Sequence, residues 1–416
     1  MNKEFHTHVL PNGLRVIFAP MERAVTHCAL MVQAGTRDEG DGEWGLAHFI
    51  EHALFKGTDK RKAFHILNRM ESVGGEINAF TSKEDTWITS SQRNKDTERA
   101  IELLADIAFY STFPSMELDK EREVILDEIS GLKDQPGELI FEAFESHLFH
   151  GHPLSRSILG TSESVQHLTG GQAKKFVQTL YQPQNMVLGV VGDVSWKHVL
   201  GWTERWMGAS GSGITPKEDL QARTSPSELA PFHLSEAKGI HQSHFMWGTR
   251  APGAKDSDRL AMTMVANLLG GPAMNCRLNL NIRERHGMVY HIEANHVLYQ
   301  DAGVFNVYCG TDAKHHAKVD RLVRKEFAVM RNKALGVRQL HEAKQQLLGQ
   351  IALGHDHGGT VLSGLVKAFA VHNHVETLDT LVKAIESMTS SDLLEVSNKW
   401  LGEDSMSSLT FITPEG

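Results

Sequence analysis

The sequence has few cysteines and no long apolar run, and both absences narrow the class of protein. Its 416 residues include only Cys28, Cys276 and Cys309, which are too few and too scattered for a disulfide framework, so we expect a reducing compartment. No stretch approaches the roughly 18 consecutive apolar residues of a membrane-spanning helix, and the N-terminal text lacks the layout of a signal peptide. We therefore expect a cytoplasmic protein without a membrane span.

Acidic residues outnumber basic residues. The sequence has 42 Lys and Arg against 51 Asp and Glu, and its formal net charge of −9 argues against a nucleic-acid partner. A hydrophobic fraction of 41% and a charged fraction of 22% are typical of an ordinary globular protein. Because the chain is too long for one hydrophobic core, it indicates two domains.

Strand and helix signals occur together along the chain. The text "THVLPNGLRVIFA" predicts two strands around a Pro-Asn-Gly turn, and "EINAFTSKEDTWITSSQ" predicts a strand pair. Helical spacing dominates from about residue 95 to residue 148. We therefore expect an α+β fold in which helices pack on a largely antiparallel sheet in each domain.

A polar stretch divides the chain into two similar halves. Gly, Ser, Pro and charged residues fill 209–230, which predicts a linker between an N-terminal domain, 1–208, and a C-terminal domain, 231–416. The text "GTRDEGDGEWGLAHFIEHALFKG" begins at Gly35 and "GTRAPGAKDSDRLAMTMVANLLGG" begins at Gly248, an offset of 248 − 35 = 213. This half-chain period predicts a duplicated domain.

The first copy contains three polar residues that the second copy lacks. His48, Glu51 and His52 fall within "GLAHFIEHALFKGT", and the offset places Ala261, Met264 and Val265 at the corresponding positions. On a helix, the two histidines stand one turn apart and can share a metal ion, while the carboxylate can accept a proton. The alternative is the solvated face of an amphipathic helix.

A catalytic zinc usually takes three protein ligands, so a third ligand is needed from another element. In "LDKEREVILDEISGLKD", Glu121 and Glu128 are seven residues apart and share one face of a predicted helix. Either carboxylate is a candidate.

The chain resembles the inverzincin peptidases of the pitrilysin and insulinase type, which include mitochondrial processing peptidase. In that family a His-x-x-Glu-His motif precedes a glutamate ligand by about 75 residues, and here Glu128 follows His52 by 128 − 52 = 76 residues. Further family-like segments occur in the family's order along nearly the whole chain: "LPNGLRV", "GTRDE", "GGEINAFTSKEDT", "HPLSRSILGT" and "LLGGPAMNCRLNLNIRERHGMVY".

The resemblance implies a zinc endopeptidase with one zinc ion per chain. It assigns His48, His52 and Glu128 as zinc ligands and Glu51 as the general base, which takes a proton from water and passes it to the leaving amine. It also makes Glu121 a candidate for orienting a ligand or positioning water.

The resemblance also implies where a peptide binds. It places Asn78, Ala79 and Phe80 on an edge strand that accepts an extended peptide by strand addition, with a core strand as the alternative. It makes Arg283 and Tyr290 a pair that contacts the substrate backbone and stabilises the oxyanion.

Because one chain carries both sets of residues, we expect a homodimer that closes like a clamshell around peptide substrates. The alternatives are a non-catalytic structural subunit of the same fold and a processing-peptidase subunit that needs a different partner chain. The remaining histidine clusters have no complementary acid at a familiar spacing, and we interpret them as surface or hydrogen-bonded residues: His147, His150, His152, His315, His316, His355 and His357.

Overall fold

The computed structural model describes residues 4–211 and 223–412, which form two compact units. Unit 1 consists of Met1–Ser130, Arg156–Thr224 and Leu353–Thr377, and unit 2 of Gly131–Ser155, Ser225–Ala352 and Leu378–Gly416. The units differ from the contiguous predicted domains 1–208 and 231–416, because each half of the chain contributes one helical segment to the unit formed mainly by the other half. Of the predicted linker, 209–230, residues 212–222 lie outside the described part of the chain.

The described residues form eleven strands. In chain order they are β1 (His6–Val9), β2 (Arg15–Pro20), β3 (Val25–Val32), β4 (Glu76–Thr81), β5 (Thr86–Arg93), β6 (Met186–Gly192), β7 (His233–Ala237), β8 (Ser243–Ala251), β9 (Val289–Leu298), β10 (Gly303–Thr311) and β11 (Ser407–Ile412).

The same residues form fourteen α-helices, none of which is long and apolar enough to cross a membrane. They are α1 (Leu46–Leu54), α2 (Ala63–Glu71), α3 (Thr97–Tyr110), α4 (Ser115–Lys133), α5 (Pro136–Leu148), α6 (Ser162–His167), α7 (Gly170–Leu180), α8 (Trp196–Met207), α9 (Arg259–Gly270), α10 (His316–Asn332), α11 (Val337–His355), α12 (Gly358–His372), α13 (Leu378–Ser387) and α14 (Ser390–Trp400).

Unit 1 is built on a six-stranded sheet with the order β1-β2-β6-β3-β5-β4. Only β2 and β6 pair in parallel, and the other neighbours are antiparallel. The predicted strand pair is β4 and β5, in register from Glu76 opposite Ser91 to Thr81 opposite Thr86. The strand β4 therefore lies at an edge of the sheet.

Helices cover both faces of this sheet. One face packs on α1, α3 and neighbouring helices through a large apolar cluster that includes Leu30, Phe49 and Ile88. The other face packs on α12, a helix from the C-terminal half of the chain, through a cluster that includes Met31, Trp87 and Val366. The alternation of side chains along each strand supplies both clusters.

The helix α12 makes hydrogen bonds to the sheet at its last turn and packs closely on the sheet along its length. Arg15 donates from Nη1 to the carbonyl oxygens of Phe369 (3.2 Å) and Ala370 (3.1 Å), which lie in the last turn of the helix. Farther along, a Cβ atom added to Gly189 of β6 would lie 2.2 Å from Val366 Cγ2 and 2.7 Å from Leu362 Cδ1. Only glycine permits this approach of the helix.

Unit 2 has a five-stranded sheet with the order β7-β11-β8-β10-β9, in which β7 and β11 are the parallel pair and β9 is an edge. One face packs on α9, α10 and α14. The other packs on α5, a helix from the N-terminal half, through Ile140 and Phe144. Two mostly antiparallel sheets packed with helices confirm the predicted α+β class.

We predict that Gly189→Ala lowers the free energy of unfolding by about 1–3 kcal/mol, because the added methyl group overpacks the contact between β6 and α12. Gly201→Ala is the matched control, since Gly201 is exposed in α8 with no atom near its added Cβ, and it should raise stability by about 0.5–1 kcal/mol. Urea denaturation measures both. Equal stability of Gly189→Ala and the unchanged chain would contradict the close packing.

Candidate metal centre

A glycine precedes the helix α1, and the carboxyl group of Glu39 caps its first turn. Gly45 has φ +86, and a Cβ there would lie 2.6 Å from the carbonyl oxygen of Leu159. Glu39 accepts hydrogen bonds from the backbone N–H groups of Gly45 (3.1 Å) and Ala47 (2.9 Å). Burial raises the pKa of Glu39 to about 8, against the effect of these N–H groups and of Arg156. The start of α1 is thus fixed by side-chain capping.

One face of α1 is fully packed and the other carries the polar motif. Leu46, Phe49, Ile50 and Leu54 are completely buried in the core of unit 1. His48 and His52 lie on one face with their ring centroids 4.7 Å apart. The helical spacing that the sequence predicted is therefore present.

Glu128 of α4 completes a group of three potential metal ligands. Its Oε2 atom lies 3.6 Å from Nε2 of His48 and 3.7 Å from Nε2 of His52. One ligand atom from each residue lies within 4.8 Å of the others. Within residues 4–211 and 223–412, this is the only such group of three His, Cys, Asp or Glu residues.

The chemistry and spacing of this group fit zinc. Ligand atoms of a tetrahedral zinc ion lie about 2.0–2.2 Å from the metal and hence about 3.3–3.6 Å from one another. Two imidazoles and one carboxylate are a known ligand set of catalytic zinc, which leaves a fourth position for water or substrate. The Glu128 side chain is 41% exposed, so one side of the group is open to solvent.

Glu121 connects the two helices that carry the ligands. This residue of α4 lies with Oε2 3.1 Å from Nδ1 of His52 and with Oε1 2.7 Å from Nζ of Lys56. A carboxylate in contact with the outer nitrogen of a metal-binding histidine orients the ring. The position of the Glu121 carboxyl group beside Nδ1 of His52 therefore suits the predicted role of orienting a ligand.

The protonation of the remaining groups suits the same chemistry. Burial, followed by the charge of His52, lowers the pKa of His48 to about 4, so its imidazole is neutral at pH 7. Burial raises the pKa of Glu51, and Glu128 adds to the rise, whereas Thr81 and His52 oppose it. A carboxyl group with a raised pKa beside the ligands is suited to proton transfer.

The edge strand β4 contains Asn78, Ala79 and Phe80, and its side chains alternate between the two faces of the sheet. Phe80 stacks on Trp87 with 5.6 Å between centroids, on the face that α12 covers. Asn78 shares that face, whereas Ala79 lies on the face of α1. The Ala79 N–H donates to Oδ1 of Asn78 at 2.9 Å.

Arg283 and Tyr290 lie together in unit 2. Arg283 belongs to a short π-helical segment, Asn279–Glu284, and its guanidinium carbon lies 6.0 Å from the centre of the Tyr290 ring. Tyr290 is in the edge strand β9 and is 83% exposed. Arg283 also lines a cleft of about 320 Å³ between β9 and the loop that follows α9.

The other histidine clusters show no complete ligand group in the part of the chain that the structure describes. His147 has one acidic neighbour, Glu236, at 4.0 Å. His316 differs from the predicted surface or hydrogen-bonded residue, because its Nε2 atom is buried without a hydrogen-bond partner among the described residues and its ring packs against Phe245 with 4.4 Å between centroids.

Sequence reasoning did not single out Glu39 or Lys56. Glu39 caps α1 from six residues before Gly45, a longer separation than that of a capping box. Lys56 follows His52 at the helical spacing of four, and this local signal was available in the sequence.

Comparison with known proteins shows two family matches and several full-length relatives. The model of the insulinase family (peptidase family M16) matches residues 16–162, and that of the peptidase M16 inactive domain matches residues 167–347. An uncharacterized zinc protease of Mycobacterium leprae is 30% identical over 91% of this chain and 85% of its own. An uncharacterized zinc protease of Bacillus subtilis is 26% identical over 97% of both chains.

Solved structures show the same fold. A protease from Helicobacter pylori superimposes with a TM-score of 0.91 at 22% identity, over 98% of this chain and 99% of that one. A structure described as a peptidase M16 inactive domain, from Pseudomonas fluorescens, has a TM-score of 0.91 at 21% identity, over 99% and 98%.

We predict that Glu39→Ala lowers the free energy of unfolding by about 1–2 kcal/mol, because it removes the cap of α1 and leaves two N–H groups without an acceptor. Glu39→Gln should lose less, since its amide oxygen still accepts. Urea denaturation in the presence of a chelator measures both. Glu43→Ala removes an exposed contact with the Gly40 N–H and should change stability by less than about 0.5 kcal/mol. A Glu39→Ala change as small as this control would exclude the capping role.

Proposed function

This chain belongs to the insulinase (peptidase M16) family, and we propose that it is a zinc-dependent endopeptidase that cleaves peptides or unfolded polypeptide segments. The observation that carries this proposal is the group formed by His48, His52 and Glu128, with Glu51 beside it. The relatives named as zinc proteases support the choice of metal.

Each residue of the site has a distinct role in this proposal. When bound, zinc supplies Lewis acidity, which lowers the pKa of water and polarises the scissile carbonyl. His48 and His52 bind as neutral imidazoles and Glu128 as a carboxylate. Glu51 accepts a proton from the attacking water and delivers it to the leaving amine.

The substrate binds by strand addition to β4. An edge strand has backbone groups without a partner strand, and an extended peptide pairs with them almost independently of its sequence. The Ala79 N–H is such a group, because it donates to the side chain of Asn78. A peptide carbonyl oxygen replaces the Asn78 oxygen as the acceptor. On the opposite face of the sheet from Ala79, Phe80 stacks on Trp87 and so holds β4 against β5.

Arg283 and Tyr290 contact the substrate backbone in the same proposal. The Tyr290 hydroxyl donates to the developing oxyanion, and the guanidinium of Arg283 adds positive charge. The exposure of Tyr290 and its proximity to Arg283 support this role.

We also propose that the two halves are duplicates and that each chain binds one zinc ion. Both sheets contain a parallel pair followed by three antiparallel pairings. In α9 the residues at the metal positions are Ala261, Met264 and Val265, all buried in the apolar core of unit 2. The match of residues 167–347 to an inactive domain agrees with this loss.

The assembly in this proposal is a cytoplasmic homodimer that closes like a clamshell around the peptide. Its support is the family resemblance, together with the occurrence of both residue sets in one chain. A non-catalytic subunit and a subunit with a different partner chain are the alternatives, and the complete ligand group in residues 16–162 favours the active chain over the first of these.

We predict that Glu51→Gln keeps its zinc but loses at least about 10²-fold in peptidase activity, because the amide cannot accept the proton. His52→Ala and Glu128→Gln, analysed in parallel, should lose most of the metal. Metal analysis and cleavage of a peptide pool followed by mass spectrometry measure the two properties. Cleavage by Glu51→Gln at the normal rate would overturn the assigned base, and full zinc retention by both other variants would overturn the ligands.

We predict further that each active site combines zinc from one chain with Tyr290 from its partner. Glu51→Gln alone should be inactive, and Tyr290→Phe should lose about 10²–10³-fold if its hydroxyl is an oxyanion donor. Mixing the two under subunit exchange creates one site with both residues intact, so activity should return.

Tagged chains provide the control for this mixing experiment, because they show whether subunits have exchanged. If exchange occurs and no activity returns, every site keeps one lesion and the shared-site arrangement is wrong.

A further inference from the structure

Lys56 lies just beyond the end of α1 and pairs with the carboxyl group that contacts His52. Its Nζ atom is 2.7 Å from Oε1 of Glu121, while Oε2 of Glu121 lies 3.1 Å from Nδ1 of His52. The Lys56 and Glu121 side chains are 26% and 11% exposed. Solvent therefore screens this pair less than it screens an ion pair on the surface.

We propose that Lys56 is a positioning residue of the metal centre, which raises metal affinity by fixing the orientation of Glu121. This inference rests on the proposed zinc site. The ammonium group of Lys56 donates to Oε1 and so restricts rotation of the carboxyl group about its last side-chain bond. Oε2 is then retained opposite the His52 ring.

The orientation of Glu121 determines which nitrogen of His52 is free to bind a metal. A carboxylate oxygen only accepts hydrogen bonds, so Nδ1 of His52 is the donor to Oε2, and the lone pair that can bind a metal is on Nε2. Nε2 is the atom that lies 3.7 Å from Oε2 of Glu128. Lys56 thus acts on the ligand through Glu121 and without contacting the metal position.

His52 is the histidine of the pair whose outer nitrogen, Nδ1, has a hydrogen-bond partner. The Nδ1 atom of His48 is buried and has no hydrogen-bond partner within the described ranges 4–211 and 223–412. The contact of Glu121 with His52 is therefore the hydrogen bond that orients a histidine of this centre from its outer nitrogen. Loss of its supporting ammonium group should weaken metal binding.

Lys56 also has a structural role at the end of α1, and a test must distinguish this role from the positioning of Glu121. Its backbone N–H donates to the carbonyl oxygen of Ala53 at 3.1 Å, and a cation near the C-terminus of a helix interacts favourably with the helix dipole. This effect changes the stability of α1 whatever residue occupies position 121. The positioning role, in contrast, requires Glu121.

The experiment is a double-mutant cycle on zinc affinity, measured in the full chain by competition with a chromophoric chelator. Lys56→Met should weaken zinc binding about 10-fold and Glu121→Gln about 10–100-fold, the range for partners of metal ligands. The double variant should bind zinc as Glu121→Gln does, because Lys56 acts only through Glu121. Lys56→Arg, which keeps the charge and the donors, should restore most of the affinity.

Lys120→Met is the matched control, since Lys120 also pairs with a glutamate of α4, Glu117, at 2.7 Å, but is 63% exposed and contacts no ligand. The zinc affinity of the Lys120→Met variant should equal that of the unchanged chain. Circular dichroism of each metal-free variant verifies folding, and Lys56→Gln replaces Lys56→Met in the cycle if the latter does not fold.

Wild-type zinc affinity in Lys56→Met or its replacement would overturn the inference, as would losses that add in the double variant. Failure of the unchanged chain to bind zinc would instead overturn the proposed function.

Discussion

The distance between α1 and α4 is the constraint on which the candidate metal centre depends. Two of the potential ligands come from α1 and the third from α4, so a small separation of the helices would take Glu128 out of reach of His48 and His52. Three features oppose such a movement. The inner face of α1 is fully buried, Glu39 caps its first turn, and Glu121 connects its last turn to α4. The buried face holds α1 against the core, and the hydrogen bonds to Glu39 and Glu121 fix the two ends of the helix.

The helix α1 places the candidate metal centre next to the edge strand β4. Because α1 packs on β4, residues on the inner face of that strand lie on the side of the ligands. The Thr81 groups that oppose the rise in the Glu51 pKa lie at the end of β4. In the proposed function, the strand that accepts a peptide is therefore next to the base and the metal ligands. Strand addition needs no side-chain recognition, which is consistent with the proposed action on many sequences.

The two units depend on helices from opposite halves of the chain. The sheet of unit 1 is covered by α12 and the sheet of unit 2 by α5, so neither half buries both faces of its sheet with its own helices. An exposed apolar face is unfavourable in water, and the contribution of α12 is specific enough to require glycine at position 189. Separation of the chain at the predicted linker would therefore leave apolar surface uncovered in each part.

The sequence alone determined the features that arise from short-range periodicity. The spacing of His48, Glu51 and His52 and that of Glu121 and Glu128 follow from the helical repeat, and the alternating text around β4 and β5 follows from the strand repeat. The α+β class and the pairing of Glu128 with the motif were also accessible, the latter through family resemblance. The tertiary structure decided what depends on packing between distant segments. Lys56 and Glu121 are 121 − 56 = 65 residues apart, and the exchange of α5 and α12 crosses the predicted linker. No local pattern encodes these contacts, because each one forms only when the chain has buried its apolar surface.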